Sequence, residues 1–347
     1  MAILSRRQTL ALASALPVGA ALARAQSPAP SAIRGQQGKK LTLKLGSSQP
    51  THAETAHTVF FDKFVSELTQ HTNGDVGVIF YGDSQLGPED KYVNQINTGT
   101  LDLMLTPSDW VPMVPELGVL TLGFLFDSLD QTGKVMDGEA GQKLAALFKQ
   151  RTHAEILGWC YNFGARNVLT KTPVLTPADL KGKKLRVLPA PSYVQTFRLL
   201  GAAPVPMSFN EIYVSLQTGV IDGLEHDPPT ILAFKFAEIA KQYTLTRHIF
   251  DPCAPVFSSA TMNKLSSDEQ QAVRAAATTA VMYQRQQAAA IEARCLDQLK
   301  QSGMQVHDID RPALTNMVKP LWKTFTDQHP DSKPVLDAIM HDTNKTL

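Results

Sequence analysis

The chain has 347 residues, with 33 Lys and Arg against 32 Asp and Glu, and a formal net charge of +1. Its first 25 residues contain three arginines and no acid, so residues 26–347 carry 30 basic and 32 acidic side chains. This balance excludes the basic stripe that nucleic-acid binding usually needs, and no apolar run approaches the ~20 residues that span a bilayer. A hydrophobic fraction of 43% is typical of a folded protein, and the length predicts two lobes.

The amino terminus is typical of a cleavable secretory signal. Arg6 and Arg7 precede an apolar run, and Ala23-Arg24-Ala25 matches a signal-peptidase pattern. The arginine pair also resembles a twin-arginine signal. We therefore expect residues 1–25 to be removed after Ala25 on export to the periplasm. A flexible lead-in, rich in Pro, Ala, Ser and Gly, is expected over residues 26–39.

Strand and helix patterns alternate along the rest of the chain. Residues 41–45 alternate apolar and polar side chains and predict a strand. An amphipathic helix is expected to follow as far as about Thr72, and then a strand over residues 76–81. This alternation predicts an α/β architecture.

One helix–glycine–strand pattern occurs twice, about 120 residues apart. The first copy ends its helix at Gly99 and the second at Gly219, where glycine is typical of a left-handed helix cap. Two similarly built lobes would explain the repeat, and so would chance recurrence of a common turn.

A long segment near the carboxyl end predicts one continuous helix. Residues 266–302 contain neither Pro nor Gly, begin with an acidic turn and end before Gly303. A helix of that length exceeds ~50 Å, which is longer than one lobe, so we expect it to cross between the lobes. A coiled coil is the competing interpretation, although the apolar spacing shows no sustained heptads.

Cysteine and histidine spacing indicates neither a redox motif nor a metal site. Cys160, Cys253 and Cys295 lie far apart, and isolated cysteines are usually buried apolar residues. An oxidising compartment leaves a bridge between Cys160 and Cys253 open. His52 and His57 are five residues apart, a poor spacing for two ligands on a helix, and are interpreted as solvated loop residues.

The motifs of common hydrolases, nucleotide-binding loops and calcium sites are absent, so the sequence predicts no enzyme. Two arginines give a stronger pattern. Arg186 lies in a strand-like segment after the capped turn that begins at Thr176, and Arg166 opens another strand. A guanidinium at a strand end can bind a carboxylate through two parallel hydrogen bonds. A surface ion pair is the alternative for either arginine.

At these residues the chain resembles the DctP-type solute-binding proteins of TRAP transporters, a family of bacterial periplasmic receptors. The resemblance covers almost all of residues 40–340. Its densest blocks are 84–87, 98–102, 164–166, 176–187, 201–207, 209–213, 216–223 and 246–248.

This resemblance implies two α/β lobes around a ligand cleft, joined by crossing strands and a long hinge-spanning helix. It also implies a monomeric receptor, without cofactor or metal, that captures a small organic acid and delivers it to a TRAP-type membrane permease driven by an ion gradient. A sensory input and an exported enzyme are the alternative functions. By analogy, lobe one comprises residues 40–163 plus 252–291, and lobe two comprises 164–251 plus 292–347.

The resemblance assigns ligand-binding roles to particular residues. Arg186 matches the arginine that pairs with the ligand carboxylate, Arg166 a second arginine beside it, and Phe209 an aromatic residue that packs on the ligand. Glu225 is expected either near the pocket or as a brace for its loop. His226 and Pro107 depart from the sialic-acid-binding members, so a sugar acid or hydroxy acid is favoured, with aromatic, 2-oxo and C4-dicarboxylic acids also open. Further pocket positions are Ser48, Glu89, Ser108 and His226.

Overall fold

A computed structural model describes residues 34–51, 54–106 and 108–347. The predicted signal segment and its cleavage site lie outside the described residues. Residues 34–36 differ from the expected flexible lead-in, because they form an edge strand that pairs antiparallel with residues 78–80. Hydrogen bonds to the neighbouring strand order this short segment.

The described residues form two six-stranded sheets and a two-stranded ribbon. Strands and helices alternate, which confirms the predicted α/β class. The strands are β1 (Arg34–Gln36), β2 (Leu41–Gly46), β3 (Val76–Tyr81), β4 (Leu103–Met104), β5 (Ala154–Ile156), β6 (Cys160–Tyr161), β7 (Arg166–Thr170), β8 (Lys184–Val187), β9 (Ala203–Pro206), β10 (Gly223–His226), β11 (Gln242–Ile249), β12 (Pro252–Cys253), β13 (Val256–Ser258) and β14 (Gln305–His307).

Helices cover both sheets. The predicted helix that ends near Thr72 is present, and its N-terminus is capped by Thr55, whose side chain accepts a hydrogen bond from the Thr58 backbone. The helices are α1 (Ala56–His71), α2 (Glu89–Thr98), α3 (Leu129–Asp137), α4 (Glu139–Arg151), α5 (Pro191–Leu199), α6 (Ile212–Thr218), α7 (Pro228–Ala233), α8 (Ser259–Met262), α9 (Ser267–Gln301), α10 (Arg311–Val318), α11 (Pro320–Gln328) and α12 (Lys333–Thr343).

The first sheet has the order β1-β3-β2-β4-β13-β5. Strands β2, β3 and β4 are parallel, so their carboxyl ends meet at one edge. Apolar side chains of β2 and β3 pack against α1 and α9, with Phe60, Phe64 and Phe80 fully buried. We call the structure around this sheet lobe one.

The second sheet has the order β14-β11-β7-β10-β8-β9. Strand β8 runs parallel to β9 and β10, whereas β7 runs antiparallel to β10 and β11. We call the structure around this sheet lobe two. Helices α2 and α6 end at left-handed Gly99 (φ 70°) and Gly219 (φ 79°), one in each lobe, which confirms the predicted caps.

The lobes are joined by the β6–β12 ribbon and by α9. The ribbon continues directly into β7 on one strand and follows β11 on the other. Helix α9 spans Ser267–Gln301 and packs against α1 of lobe one and α7 of lobe two, so the predicted crossing helix is confirmed. Buried Gln284 of α9 hydrogen-bonds both the amide and the carbonyl of Tyr161 in the ribbon.

The carboxyl-terminal helices contact both lobes. Helices α10 and α11 pack on α5, and α12 packs on α3 and α4. Trp322 of α11 is buried and donates a hydrogen bond to the Gly123 carbonyl. The last three helices therefore pack against α3 and α4, which precede β6 in the chain, and against α5, which follows it.

The three cysteines are buried free thiols. Cys160 and Cys253 lie directly opposite each other in the ribbon, and the Cys253 thiol hydrogen-bonds the Leu105 carbonyl. Within the described part of the chain, no helix is both long enough and apolar enough to cross a membrane.

Candidate ligand-binding site

A cavity of about 90 Å³ lies between the two lobes. Small-molecule sites occur preferentially at such interfaces between domains. The wall from lobe one lies at the carboxyl edge of β2, β3 and β4, where α/β proteins commonly bind ligands. Seven of the eight residues expected at the pocket line the cavity, namely Ser48, Glu89, Ser108, Arg166, Arg186, Phe209 and His226.

Strand order explains why the wall from lobe two gathers residues that are distant in sequence. Strand β10 pairs with β8 on one side and β7 on the other. Leu224 is opposite Arg186, and His226 is opposite Asn167, the neighbour of Arg166. Because β7 is antiparallel, its first residue meets the last residue of β10 at the same edge. The two arginines and His226 therefore converge.

Arg166 forms a buried ion pair with Glu225. Its Nε lies 2.5 Å from Glu225 Oε2, its Nη2 lies 2.7 Å from Oε1, and the two side chains are 2% and 0% exposed. His248 Nε2 lies 3.1 Å from the same carboxylate. Burial alone would raise the pKa of Glu225, but the Arg166 charge and the His248 hydrogen bond hold that pKa at about 2. Glu225 thus lies behind Arg166 and neutralises it.

Arg186 is a buried cation with unused hydrogen-bonding capacity. It is 2% exposed, and its Nε donates to the Met207 carbonyl at 3.1 Å. Its Nη1 is buried without a hydrogen-bond partner among the described residues. Burial lowers the pKa of Arg186 to about 10, although the Glu225 charge acts in the opposite direction. The guanidinium is therefore charged near neutral pH and free to bind an anion.

Aromatic rings hold the Arg186 guanidinium in place. Its central carbon lies 5.7 Å from the centre of the Phe209 ring. Phe209 packs edge-on against His226, with ring centres 5.7 Å apart, and against Phe234 at 4.5 Å. The Nδ1 atom of His226 lies 3.0 Å from Asp227. Burial and then the Arg166 charge lower the pKa of His226, so the ring is neutral near pH 7.

The wall from lobe one is acidic. Glu89 begins α2 and accepts a hydrogen bond of 2.7 Å from Ser48. Asp109 follows Ser108 in a short 3-10 turn after β4, and its Oδ2 is buried without a partner among the residues described. Burial raises the pKa of Glu89. Burial, and then the charge of Glu89, raise the pKa of Asp109 well above its usual value.

Sequence reasoning missed four ionisable residues of this cavity, namely His57, Asp90, Asp109 and Asp251. The interpretation of His57 as a solvated loop residue is wrong, because His57 lies in the first turn of α1 and is 6% exposed. Its Nδ1 lies 2.6 Å from Ser47, and burial lowers its pKa to about 4. The sequence signal that could have placed His57 at the cavity is its position after β2, at the carboxyl edge of a parallel sheet. His52 and Pro107 lie outside the described residues.

Asp251 lies where β11 leads into the ribbon. Its Oδ2 accepts a hydrogen bond of 2.8 Å from Asn162, and the Tyr193 hydroxyl lies 3.5 Å away. Burial raises its pKa to about 6. Asp109 and Asp251 belong to no sequence motif, and neither could be found without the strand order.

The family model for bacterial extracellular solute-binding proteins of family 7, the DctP family, matches residues 46–328. The chain belongs to this family. The DctP match spans both lobes, the ribbon and α9, so it covers every element that lines the cavity.

Relatives of this DctP protein include receptors for sugar acids. The 2,3-diketo-L-gulonate-binding periplasmic protein of Escherichia coli K12 is 32% identical over 80% of this chain and 86% of its own length. A TRAP periplasmic solute-binding protein of Chromohalobacter salexigens, solved with bound D-glucuronate, is 29% identical, with a TM-score of 0.82 over 86% of this chain and 99% of that one. Another, from Xanthobacter autotrophicus with bound β-D-galacturonate, is 28% identical, with a TM-score of 0.81 over 88% and 100% of the two chains.

The DctP chain is thus a TRAP-type solute-binding protein with two α/β lobes, as the sequence resemblance implied. Among the described residues, no group of three or more His, Cys, Asp or Glu side chains is arranged to hold a metal ion. Among the residues that the structure describes, Arg186 is a buried cation without an ion-pair partner on the wall of lobe two, and Glu89 and Asp109 are acids on the wall of lobe one. Asp251, which lies where β11 leads into the ribbon, is a further acid of the lining.

Proposed function

We propose that this protein captures a small organic acid, with a sugar acid or hydroxy acid favoured, in the cavity between its lobes. It then delivers the ligand to a TRAP-type membrane permease in the periplasm. The role is binding and not catalysis, as it is for the relatives with named ligands. The observation that carries this proposal is the free, buried guanidinium of Arg186 in the cavity wall.

Electrostatics favours an anionic ligand at Arg186. Burying a cation without a partner costs free energy, and the lowered pKa of Arg186 reflects that cost. A carboxylate that forms charge-assisted hydrogen bonds with the guanidinium offsets the cost. Arg166 cannot serve in the same way, because Glu225 already occupies its Nε and Nη2. We assign Arg186 to the ligand carboxylate and the Arg166–Glu225 pair to shaping the wall.

The size and lining of the cavity favour a compact, hydroxylated acid. Phe209 offers an apolar ring face, whereas Ser48, Ser108 and His226 offer hydrogen-bonding groups. Sugar rings and hydroxylated chains present both apolar C–H faces and hydroxyls, so they match such a lining. The sugar acids bound by solved relatives support the same class.

Calorimetric titration with D-glucuronate, D-galacturonate, D-galactonate and succinate tests the assignment. We expect at least one sugar acid to bind wild type. We expect Arg186→Lys to bind it weakly, because an ammonium cannot form the planar two-point contact of a guanidinium. An Arg198→Lys substitution in α5, outside the cavity lining, is the matched control. Failure of every carboxylate to bind wild type, or unchanged affinity in Arg186→Lys, would refute the proposal.

A further inference from the structure

The two walls of the cavity differ in charge. On the wall from lobe two, the charge of Arg166 is balanced by Glu225, and Arg186 has no ion-pair partner among the described residues. Asp251, between β11 and the ribbon, also lines the cavity, and burial raises its pKa while the Arg166 charge lowers it. The lining from lobe one, within the described residues, contains no Lys or Arg. Its histidine, His57, has a pKa lowered by burial to about 4 and is neutral near pH 7. A ligand in the cavity therefore meets a cation on the wall from lobe two and acids on the wall from lobe one.

The acidic end consists of Glu89 and Asp109, which come from different elements. Glu89 begins α2, and Asp109 lies in the 3-10 turn after β4. The two are close enough for the charge of Glu89 to raise the pKa of Asp109, and the charge of Arg186 lowers the pKa of both. The exposed carboxylate of Asp90 adds negative charge at the same wall.

Hydrogen bonds occupy only part of this acidic pair. Ser48 donates to Oε1 of Glu89. The Oδ2 atom of Asp109 is buried with no partner among the residues that the structure describes. A buried polar atom without a partner costs free energy, so a ligand group that bonds to it is favoured. The unpartnered Nη1 of Arg186, in a side chain 2% exposed, independently indicates a ligand in this cavity.

We propose that Glu89 and Asp109 bind hydroxyl groups of the ligand and select monocarboxylates over dicarboxylates. This inference rests on the proposed function, because it places the ligand carboxylate at Arg186. It narrows the substrate class to acids with one carboxylate at one end and hydroxyls towards the other. The sugar-acid class is thereby divided into aldonates and uronates, which are accepted, and aldarates, which are rejected.

The selection follows from hydrogen bonding and repulsion together. A carboxylate accepts charge-assisted hydrogen bonds from hydroxyls. A second carboxylate on the ligand would instead face these acids, and like charges brought together at a binding site strongly disfavour the wrong partner.

Galactonate and galactarate provide a matched pair of probes. They share the same carbon chain and the same inner hydroxyls, and differ only in a terminal hydroxymethyl group against a second carboxylate. Calorimetric titration at pH 7.5 of wild type, Asp109→Asn and Glu89→Gln measures the ratio of their affinities. The control variant is Asp130→Asn, which changes an exposed carboxylate in the first turn of α3, outside the cavity lining.

We expect wild type and Asp130→Asn to bind galactarate roughly 100-fold more weakly than galactonate. We expect Asp109→Asn and Glu89→Gln each to reduce that ratio by about 10-fold or more, since each removes negative charge at nearly constant volume. Melting temperatures without ligand identify a variant that has failed to fold, and the other variant then decides the outcome.

Two results would overturn the inference. Wild type could bind galactarate as tightly as galactonate, or both folded variants could keep the wild-type ratio. A third result separates this inference from the proposed function. Binding of succinate without binding of galactonate would overturn the hydroxyl-binding wall while leaving a carboxylate receptor intact, whereas binding of no carboxylate at all would overturn both.

Discussion

The two arginines of the cavity are predicted to respond in opposite ways to the same substitution. Arg166→Met removes one partner of a buried ion pair and leaves the Glu225 carboxylate, which is 0% exposed, without its guanidinium. Arg186→Met removes a buried cation that has one hydrogen bond, to the Met207 carbonyl, and an unpartnered Nη1. Methionine keeps most of the aliphatic volume in both cases, so the comparison isolates charge.

The structure gives a magnitude for each change. Breaking a buried ion pair by removing one partner costs about 3–5 kcal/mol. A chain of this size has an unfolding entropy of about 0.65 kcal/mol/K, so Arg166→Met is expected to lower the melting temperature by about 5–8 °C. The pKa of Arg186, lowered from 12.5 to about 10, corresponds to on the order of 3 kcal/mol of electrostatic cost at neutral pH. Arg186→Met removes this cost along with one hydrogen bond, so stability without ligand should be unchanged or higher.

Thermal unfolding without ligand, followed by circular dichroism at pH 7.5, measures the change in stability of each variant. Calorimetric titration with the sugar acid that binds wild type measures the change in ligand affinity. We expect Arg186→Met to weaken binding by about 2–5 kcal/mol, or roughly 30- to 5000-fold, despite its intact stability. Equal losses of stability in the two variants would refute the distinction between a structural and a ligand-binding arginine. Retained affinity in Arg186→Met would refute the role of Arg186.

Other predictions concern the carboxyl group of Asp251, the backbone at Gly164 and the hydrogen bonds of Gln284. The pKa of Asp251 is raised by burial from 3.8 to about 6, so its ionisation in the folded state destabilises the protein as pH rises through this interval. Asp251→Asn should therefore gain about 3 kcal/mol of unfolding free energy relative to wild type between pH 4 and pH 7 in urea titrations, and a pH-independent difference would contradict this. Gly164 has φ +107°, and an added Cβ would lie 2.5 Å from Glu292 Cδ, whereas a Cβ at Gly182 (φ +71°) meets nothing within 4 Å. Gly164→Ala should cost about 1–3 kcal/mol more than Gly182→Ala, and similar midpoints for the two would be evidence against crowding at the start of β7. Gln284→Leu removes both hydrogen bonds from α9 to Tyr161 and should cost about 2–4 kcal/mol, which the same urea titrations check against Gln286→Leu, at an exposed position of α9, as control.

Local sequence patterns were sufficient for several of the elements. Periodicity predicted β2, α1 and β3, and the absence of Pro and Gly predicted α9 almost to its ends. Arg186 could be placed on the face of β8 opposite Leu185, because side chains alternate along a strand. The resemblance to DctP proteins then supplied the expected pocket, and seven of its eight residues line one cavity.

What each charged group does could not be predicted in this way. Arg166 and Arg186 look alike in sequence, yet one is neutralised by Glu225, 59 residues along the chain, and the other is free. Asp109 and His57 belong to no motif, and their roles depend on the parallel order of β2 and β4.

The sequence by itself therefore determined the α/β class and the strands that carry both arginines, because these follow from local periodicity and short motifs. It also predicts export. Only the tertiary structure decided which charges are paired and which face the cavity. Electrostatic partners are chosen through space, by sheet order and burial, and a chain's local pattern does not contain the distances between residues that folding brings together.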